Sequence, residues 1–105
     1  MLEIVVRQAG LGRPVDARQG DVVILELDEN PGTGYSWDLA GLPDFVTQAE
    51  SSQEAAMPPR MGAPGIRRIR LVATGTGQGT IEGHLRRPWD PDNLADRFSI
   101  QLSVR

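Results

Sequence analysis

The amino-acid sequence predicts an all-β fold, a sandwich of seven to eight short antiparallel strands. Three observations support this prediction. Apolar and polar residues alternate with a period of two along most of the chain, which is typical of strands with one buried face. Turns rich in glycine and proline separate these runs roughly every 8–12 residues, as in sandwiches and small barrels. No segment keeps a helical period for longer than two turns.

The alternation is clearest in the C-terminal strand, where every second residue is apolar: Phe98, Ile100, Leu102 and Val104. Residues 80–86 follow the same pattern, with Ile81, Gly83 and Leu85 on the inward face. Both segments are therefore predicted to be antiparallel strands with one face in the core.

The remaining strands show weaker patterns. Residues 21–28 are apolar more continuously, which predicts a central strand. Residues 2–6 are predicted to form an edge strand, residues 68–72 a strand with alternating faces, and residues 45–49 a short strand. Tyr35 and Trp37 share their parity with Leu39, so both aromatic rings are predicted to lie in the core.

A chain of 105 residues fits one domain, and we expect residues 1–105 to form it. Cysteine is absent, so the fold has no disulfide and no thiolate metal ligand. The stability of the domain must therefore come from packing.

Charge and composition exclude several function classes. The net charge is −3 and the eleven basic residues, all arginine, are scattered, which argues against nucleic-acid binding. Without lysine there is neither a Walker phosphate loop nor a lysine Schiff base. His84 is the single histidine, so catalytic triads lack candidates and a zinc site would depend on carboxylates. We expect no cofactor and no bound metal.

No apolar run approaches the ~18 residues of a membrane helix, so no membrane association is expected. The chain starts without a basic segment followed by an apolar run, and hence without a recognisable secretory signal. The protein is expected to be periplasmic or secreted if a signal was removed, and cytoplasmic otherwise. A self-sufficient sandwich is expected to be a monomer.

Three connections stand out, two because they combine glycine and proline with small side chains and the third because prolines flank a tryptophan. The first is Asn30-Pro31-Gly32-Thr33-Gly34-Tyr35-Ser36-Trp37, in which proline and glycine favour a tight turn. The second lies in residues 51–65, a predicted loop without alternation that contains Gly62-Ala63-Pro64-Gly65. The third is Arg87-Pro88-Trp89, where we expect Trp89 to be exposed and able to form a cation–π pair with Arg87.

These three motifs, in this order, resemble the chagasin family of cysteine-protease inhibitors, from about Gly20 to the C-terminus. The family carries an Asn-Pro-(Thr)-Thr-Gly-aromatic-x-Trp loop, a glycine-rich loop and an Arg-Pro-Trp loop. Gly32 departs from the family pattern by replacing a threonine, and Pro64 departs by interrupting the glycine run.

The resemblance implies an immunoglobulin-like sandwich whose three loops form a wedge that enters the cleft of a papain-like cysteine protease. An occluding inhibitor needs no reactive group, so we expect reversible, tight binding without covalent capture. We also expect no enzymatic activity. The residues implied in protease binding are Asn30, Pro31, Gly32, Thr33, Gly34, Gly62, Ala63, Pro64, Gly65, Arg87, Pro88 and Trp89.

Other interpretations of the same residues remain open at this point. A non-inhibitory immunoglobulin-like binding module would share the fold and the exposed Trp89. A small hydrolase would need the carboxylates of residues 90–96, although sandwich domains offer little concavity for a substrate. Arg67 and Arg68 are predicted to be solvated charges on a strand face, His84 a surface residue, and residues 75–79 a flexible turn.

Overall fold

The computed structural model of the chain describes residues 2–54 and 65–105, and within them eight strands form two four-stranded sheets. The all-β prediction is therefore confirmed. No helix in these two ranges is long and apolar enough to cross a membrane. The strands are β1 (Glu3–Arg7), β2 (Val15–Ala17), β3 (Val22–Glu29), β4 (Ser36–Gly41), β5 (Val46–Glu54), β6 (Gly65–Ala73), β7 (Gly77–Arg87) and β8 (Asp90–Val104), with 3-10 turns at Gln8–Gly10 and Pro31–Thr33.

The strand order is β1-β3-β6-β5 in the first sheet and β2-β8-β7-β4 in the second. β1 is an edge strand and β3 is central, as predicted. Two pairings differ from the antiparallel expectation, since β1 runs parallel to β3 and β2 runs parallel to β8. The chain leaves the first sheet after β1, forms β2 in the second sheet and returns as β3. This crossover makes parallel pairing possible, and side-chain alternation carries no information about strand direction.

The core lies between the two sheets and follows the period-two pattern of the sequence. Its most deeply buried side chains come from the central strands of both sheets, and burying each of them contributes roughly 1.5–3 kcal/mol. They are Leu25 and Leu27 of β3, Ile69 and Leu71 of β6, Ile81 of β7, and Ile100 and Leu102 of β8.

Trp37 closes one end of this core, as predicted from its parity. Its ring centroid lies 5.4 Å from that of Phe98, and its indole N–H donates to the Asp28 carbonyl at 2.8 Å. Phe98 pairs with Gly83 across the β7–β8 ladder and covers it so closely that a Cβ on Gly83 would lie 2.1 Å from the phenyl ring. Glycine is therefore required at the centre of β7.

Several boundaries differ from the prediction. β2 was not predicted, because three residues are too few to show alternation. Residues 77–79, predicted as part of a flexible turn, begin β7. β5 extends to Glu54 although its side chains are mostly exposed, because it is an edge strand whose backbone pairs with β6. The predicted loop 51–65 is thus shorter at both ends, and its residues 55–64 lie outside the described residues.

Candidate functional site

The connection between β3 and β4, here called the first loop (residues 30–34), is folded onto itself by its own polar groups. The amide and the hydroxyl of Thr33 donate to the Asn30 carbonyl at 3.2 and 2.8 Å. The Asn30 side-chain oxygen accepts the Gly32 amide at 3.0 Å, and Thr33 Oγ1 accepts the Tyr35 amide at 3.2 Å. Asn30 and Thr33 therefore define the shape of the loop before any partner binds.

Gly34 ends the first loop in a conformation that side chains rarely adopt. Its φ is +79°, in the left-handed region that favours glycine. A Cβ at this position would also lie 2.5 Å from the Trp89 ring. Both the backbone conformation and the close approach of Trp89 require glycine here.

The turn between β7 and β8, here called the Trp89 turn (residues 87–90), meets the first loop at the same end of the sandwich. Arg87 pairs with Asp90, so Pro88 and Trp89 form a two-residue connection. The Trp89 side chain packs its ring against Gly34 and yet is 71% exposed, which is unusual for so large an apolar group. The predicted exposure of Trp89 is confirmed.

Arg87 joins the two connections. Its Nε donates to the Thr33 carbonyl at 3.0 Å, and its guanidinium lies 4.3 Å from the centroid of the Tyr35 ring. The predicted pairing with Trp89 is present at the longer distance of 5.9 Å. Arg87 is thus sandwiched in a polar and aromatic cluster that fixes the first loop relative to Trp89.

Tyr35 contradicts its predicted place in the core. The chain turns at Gly34 and β4 starts at Ser36, so Tyr35 lies at the strand end, half-buried beneath Arg87. The alternation of inward and outward side chains that places Trp37 in the core begins only at Ser36, so it does not include Tyr35.

The strands that flank residues 55–64 reach the same end of the molecule. Gly65 pairs with Glu29, the residue before the first loop, and Glu54 pairs with Ile66. Gly65, predicted as part of a glycine-rich loop, is instead a buried residue of β6, because its backbone pairs with β3. Gly62, Ala63 and Pro64 lie outside the described residues.

A buried carboxylate beneath the first loop was missed by the sequence interpretation. The side chain of Glu29 is 0% exposed and forms an ion pair with Arg67 at 2.8 Å. Arg67, predicted as a solvated charge, instead points inward because it shares its parity with Ile69. The signal was available in the sequence, since Glu29 continues the inward-facing positions of Leu25 and Leu27.

The described residues at this end offer binding surface rather than reactive groups. Asp90, Asp92 and Asp96 are exposed, and within residues 2–54 and 65–105 no three histidine or acidic side chains are grouped to hold a metal ion. His84 is partly buried on β7 and faces Glu82 at 3.4 Å. What the arrangement presents is an exposed indole beside a stiff loop with almost no side-chain bulk.

Comparison with known proteins agrees with this geometry. The model of the family described as "Chagasin family peptidase inhibitor I42" matches residues 16–104. Amoebiasin-1 of Entamoeba histolytica is 32% identical over 79 residues, which cover 75% of this chain and 78% of the relative.

Solved structures share the fold at lower sequence identity. The crystal structure of EhICP2, a cysteine protease inhibitor from Entamoeba histolytica, superposes with a TM-score of 0.86 at 22% identity, covering 100% of this chain and 97% of the other. PbICP-C, solved in complex with falcipain-2, superposes with a TM-score of 0.62 at 20% identity, covering 98% of this chain and 89% of the other.

Proposed function

Because the chain belongs to the chagasin family of peptidase inhibitors, we propose that it is a reversible, tight-binding inhibitor of papain-family cysteine proteases. Membership of this family makes the protein an inhibitor and not an enzyme. In the proposed complex, the first loop and the Trp89 turn enter the active-site cleft of the protease, and no covalent bond forms.

One observation carries the proposal: the first loop and the Trp89 turn, more than fifty residues apart in sequence, are joined at one end of the sandwich. The Arg87–Thr33 hydrogen bond of 3.0 Å and the packing of Trp89 on Gly34 hold them together. A long, narrow cleft is best entered by backbone with small side chains, which Gly32, Thr33 and Gly34 of the first loop provide.

The physical properties of the site suit occlusion of a cleft. Gly32 is exposed and lets backbone approach the protease closely, and Gly34 lets Trp89 pack against the loop. The internal hydrogen bonds of the first loop limit the conformational entropy lost on binding, which otherwise weakens association. Trp89 supplies an exposed aromatic anchor, the side chain most often found at binding hot spots. We expect an interface of standard size, on the order of 1,600 Å².

Relatives support the choice of protease class. EhICP2 is described as a cysteine protease inhibitor, and PbICP-C was solved bound to falcipain-2. Gly62, Ala63 and Pro64 are included in the proposed binding surface from the sequence resemblance, together with Asn30, Pro31 and Pro88.

Titration of papain with the purified protein tests the proposal. We expect stoichiometric, reversible inhibition at sub-micromolar concentration, with the inhibitor recovered intact by mass spectrometry. Trypsin serves as the control, because a serine protease has a different cleft and should keep its full activity. Absence of papain inhibition at high micromolar concentration would instead favour a non-inhibitory binding module that uses the same exposed Trp89.

A further inference from the structure

Glu29 occupies an unusual place for a charged residue. It is the last residue of β3, directly before the first loop, and its carboxylate points into the sandwich on the same face as Leu25 and Leu27. The side chain is fully buried, whereas Arg67 opposite it is 19% exposed. The ion pair therefore closes the core at the end where the first loop leaves it.

The partners of Glu29 come from three further strands. One carboxylate oxygen accepts the backbone amide of Trp37 in β4 at 2.6 Å, and the other accepts the side-chain amide of Gln53 in β5. Arg67 of β6 donates to both oxygens, through Nε at 3.2 Å and through Nη2 at 2.8 Å. Arg67 also donates to the Ser51 hydroxyl of β5 at 3.2 Å.

These contacts join the strands that flank the first loop to the strands that flank residues 55–64. β3 and β4 flank the first loop, and β5 and β6 flank residues 55–64. A single carboxylate on β3 thus bonds to groups on the other three strands, across both sheets. Trp37, whose amide it holds, is the second residue of the strand that follows the first loop.

A second ion pair on the same two strands lies on the outer surface and serves as a comparison. Glu26 and Arg68 face each other across β3 and β6 on the outer surface, with 18% and 35% of their side chains exposed. The hydrogen bond from Arg68 lowers the pKa of Glu26 below its usual value. Glu26 also accepts from Arg7 of β1, and Arg68 also donates to Glu54 at the end of β5. This pair therefore ties the first sheet together on its outer surface, and among the described residues it makes no hydrogen bond with the first loop or with β4.

Stability alone does not explain a fully buried carboxylate. Two charges withdrawn from water lose hydration that their mutual attraction only partly restores, and well-packed apolar residues are often at least as stable in such positions. Directional hydrogen bonds, by contrast, fix strand ends relative to one another in a way that apolar packing does not.

We propose that Glu29 is a positioning residue of the inhibitory surface, which holds the strand ends that flank the first loop and residues 55–64 in their binding geometry. This inference rests on the proposed inhibition of papain-family proteases. Glu29 itself does not touch the protease, and it acts through the amide of Trp37 and the side chains of Arg67 and Gln53.

The substitution Glu29→Gln tests the proposal, with Glu26→Gln as the matched control on the same strand. Glutamine keeps the size of the side chain, but it loses the charge and presents an amide donor to groups that are already donors. We expect Glu29→Gln to weaken inhibition of papain on the order of tenfold or more through the loss of preorganisation, and Glu26→Gln to leave inhibition within about threefold of the parent. Equal inhibition by all three proteins would overturn the proposal.

A second measurement separates positioning from a loss of folding and from a failure of the proposed function. Backbone {¹H}–¹⁵N heteronuclear NOEs at Gly32, Thr33 and Gly34 report loop rigidity without any protease. We expect Glu29→Gln to lower these values and Glu26→Gln to leave them unchanged, even if the parent does not inhibit papain. Unchanged loop NOEs in Glu29→Gln would contradict the positioning role.

Arg67→Lys keeps the proposal testable if Glu29→Gln does not fold. Lysine retains the positive charge but not the two-pronged contact with both carboxylate oxygens. An intermediate loss of inhibition and of loop rigidity is expected, and parent-like values of both would overturn the proposal.

Discussion

The two ends of β3 each hold a buried carboxylate, and the two carboxylates are bonded in opposite ways. Asp21, just before β3, accepts the backbone amides of Leu2 and Arg18 at 3.0 and 2.9 Å. Glu29, at the other end, accepts mainly from the side chains of other strands. These are the two buried charged residues within the described part of the chain.

At the Asp21 end of the sandwich, hydrogen bonds between backbone groups hold the connections together. The Gln19 amide donates to the Arg105 carbonyl at 2.9 Å, and the Gly20 amide donates to the Ala73 carbonyl at 2.8 Å. The Ala73 amide in turn donates to the Asp21 carbonyl at 3.0 Å. Connections at this end are therefore fastened to each other by their backbone groups.

The end at Glu29 is fastened by side chains instead. The side chains of Asn30 and Thr33 fix the first loop from within, and Arg87 holds it from the neighbouring turn. Glu29 fixes the strands beneath the loop. Gly32 and Thr33 are thereby fixed in place while they stay exposed. The comparison teaches that substitutions near Glu29 should change inhibition, whereas substitutions near Asp21 should change stability.

The largest effect on inhibition is expected for Trp89→Ala. Trp89 is highly exposed, so its removal should leave the melting temperature nearly unchanged while the inhibition constant for papain rises by at least ~30-fold, about 2 kcal/mol of binding free energy. Trp89→Phe is the matched control and should retain part of the affinity. A parent-like inhibition constant for Trp89→Ala would remove Trp89 from the binding surface.

The next largest effect is expected for Gly34→Ala. The added methyl must displace the Trp89 ring and hold a left-handed backbone, which costs a non-glycine residue about 1–2 kcal/mol. We expect inhibition of papain to weaken by roughly tenfold or more.

Gly32→Ala is the control in the same loop. Gly32 does not have a positive φ, and a Cβ there would lie 3.3 Å from the Asn30 side-chain oxygen, a contact that a small shift relieves. Its effect on inhibition should stay within about threefold. Equal losses for the two glycine variants would show that the Trp89–Gly34 packing does not set the affinity.

A smaller effect is expected for Thr33→Ala, measured against Thr33→Ser. Alanine loses both the donation to the Asn30 carbonyl and the acceptance of the Tyr35 amide, while serine keeps them. Each such hydrogen bond contributes about 0.5–1.5 kcal/mol, so inhibition should weaken roughly tenfold for alanine and little for serine. Parallel losses in both variants would point to the threonine methyl instead of the hydroxyl.

The smallest effect on inhibition, and a distinct effect on stability, is expected for Asp21→Asn. The amides of Leu2 and Arg18 lower the pKa of Asp21 below its usual value of 3.8. The carboxylate therefore stabilises the fold above that value, and this contribution is lost as the pH falls through the lower folded-state pKa.

Thermal unfolding of Asp21→Asn and of the parent at neutral pH and near pH 3 measures this contribution. We expect a lower melting temperature for the variant at neutral pH, and a smaller difference between the two proteins at the acidic pH. Inhibition of papain at neutral pH should equal that of the parent. A clear loss of inhibition in Asp21→Asn would break the distinction between the two ends of β3.

Much of this architecture follows from local patterns in the sequence. Period-two alternation predicts the inward faces of β6, β7 and β8 because side chains of a strand point alternately to its two faces. The first loop and the exposed Trp89 follow from proline and glycine at fixed positions and from a tryptophan placed beyond the end of a strand. The order of three loop motifs was enough to indicate the inhibitor family.

These local patterns do not predict which distant strands pair. The parallel partners of β1 and β2, and the exposed edge strand β5, depend on backbone hydrogen bonds with distant residues rather than on apolar periodicity. Tyr35 had the parity of a core residue, yet a positive φ at Gly34 placed it under Arg87.

What the sequence determined by itself was a β-sandwich with a tight first loop of small side chains and an exposed Trp89. Only the tertiary structure decided that the first loop is fastened to the Trp89 turn and that Glu29 and Arg67 form a buried pair beneath it. The physical reason is that alternation depends on neighbours two residues apart, whereas Glu29 and Arg67 are thirty-eight residues apart and meet only when β3 and β6 pair.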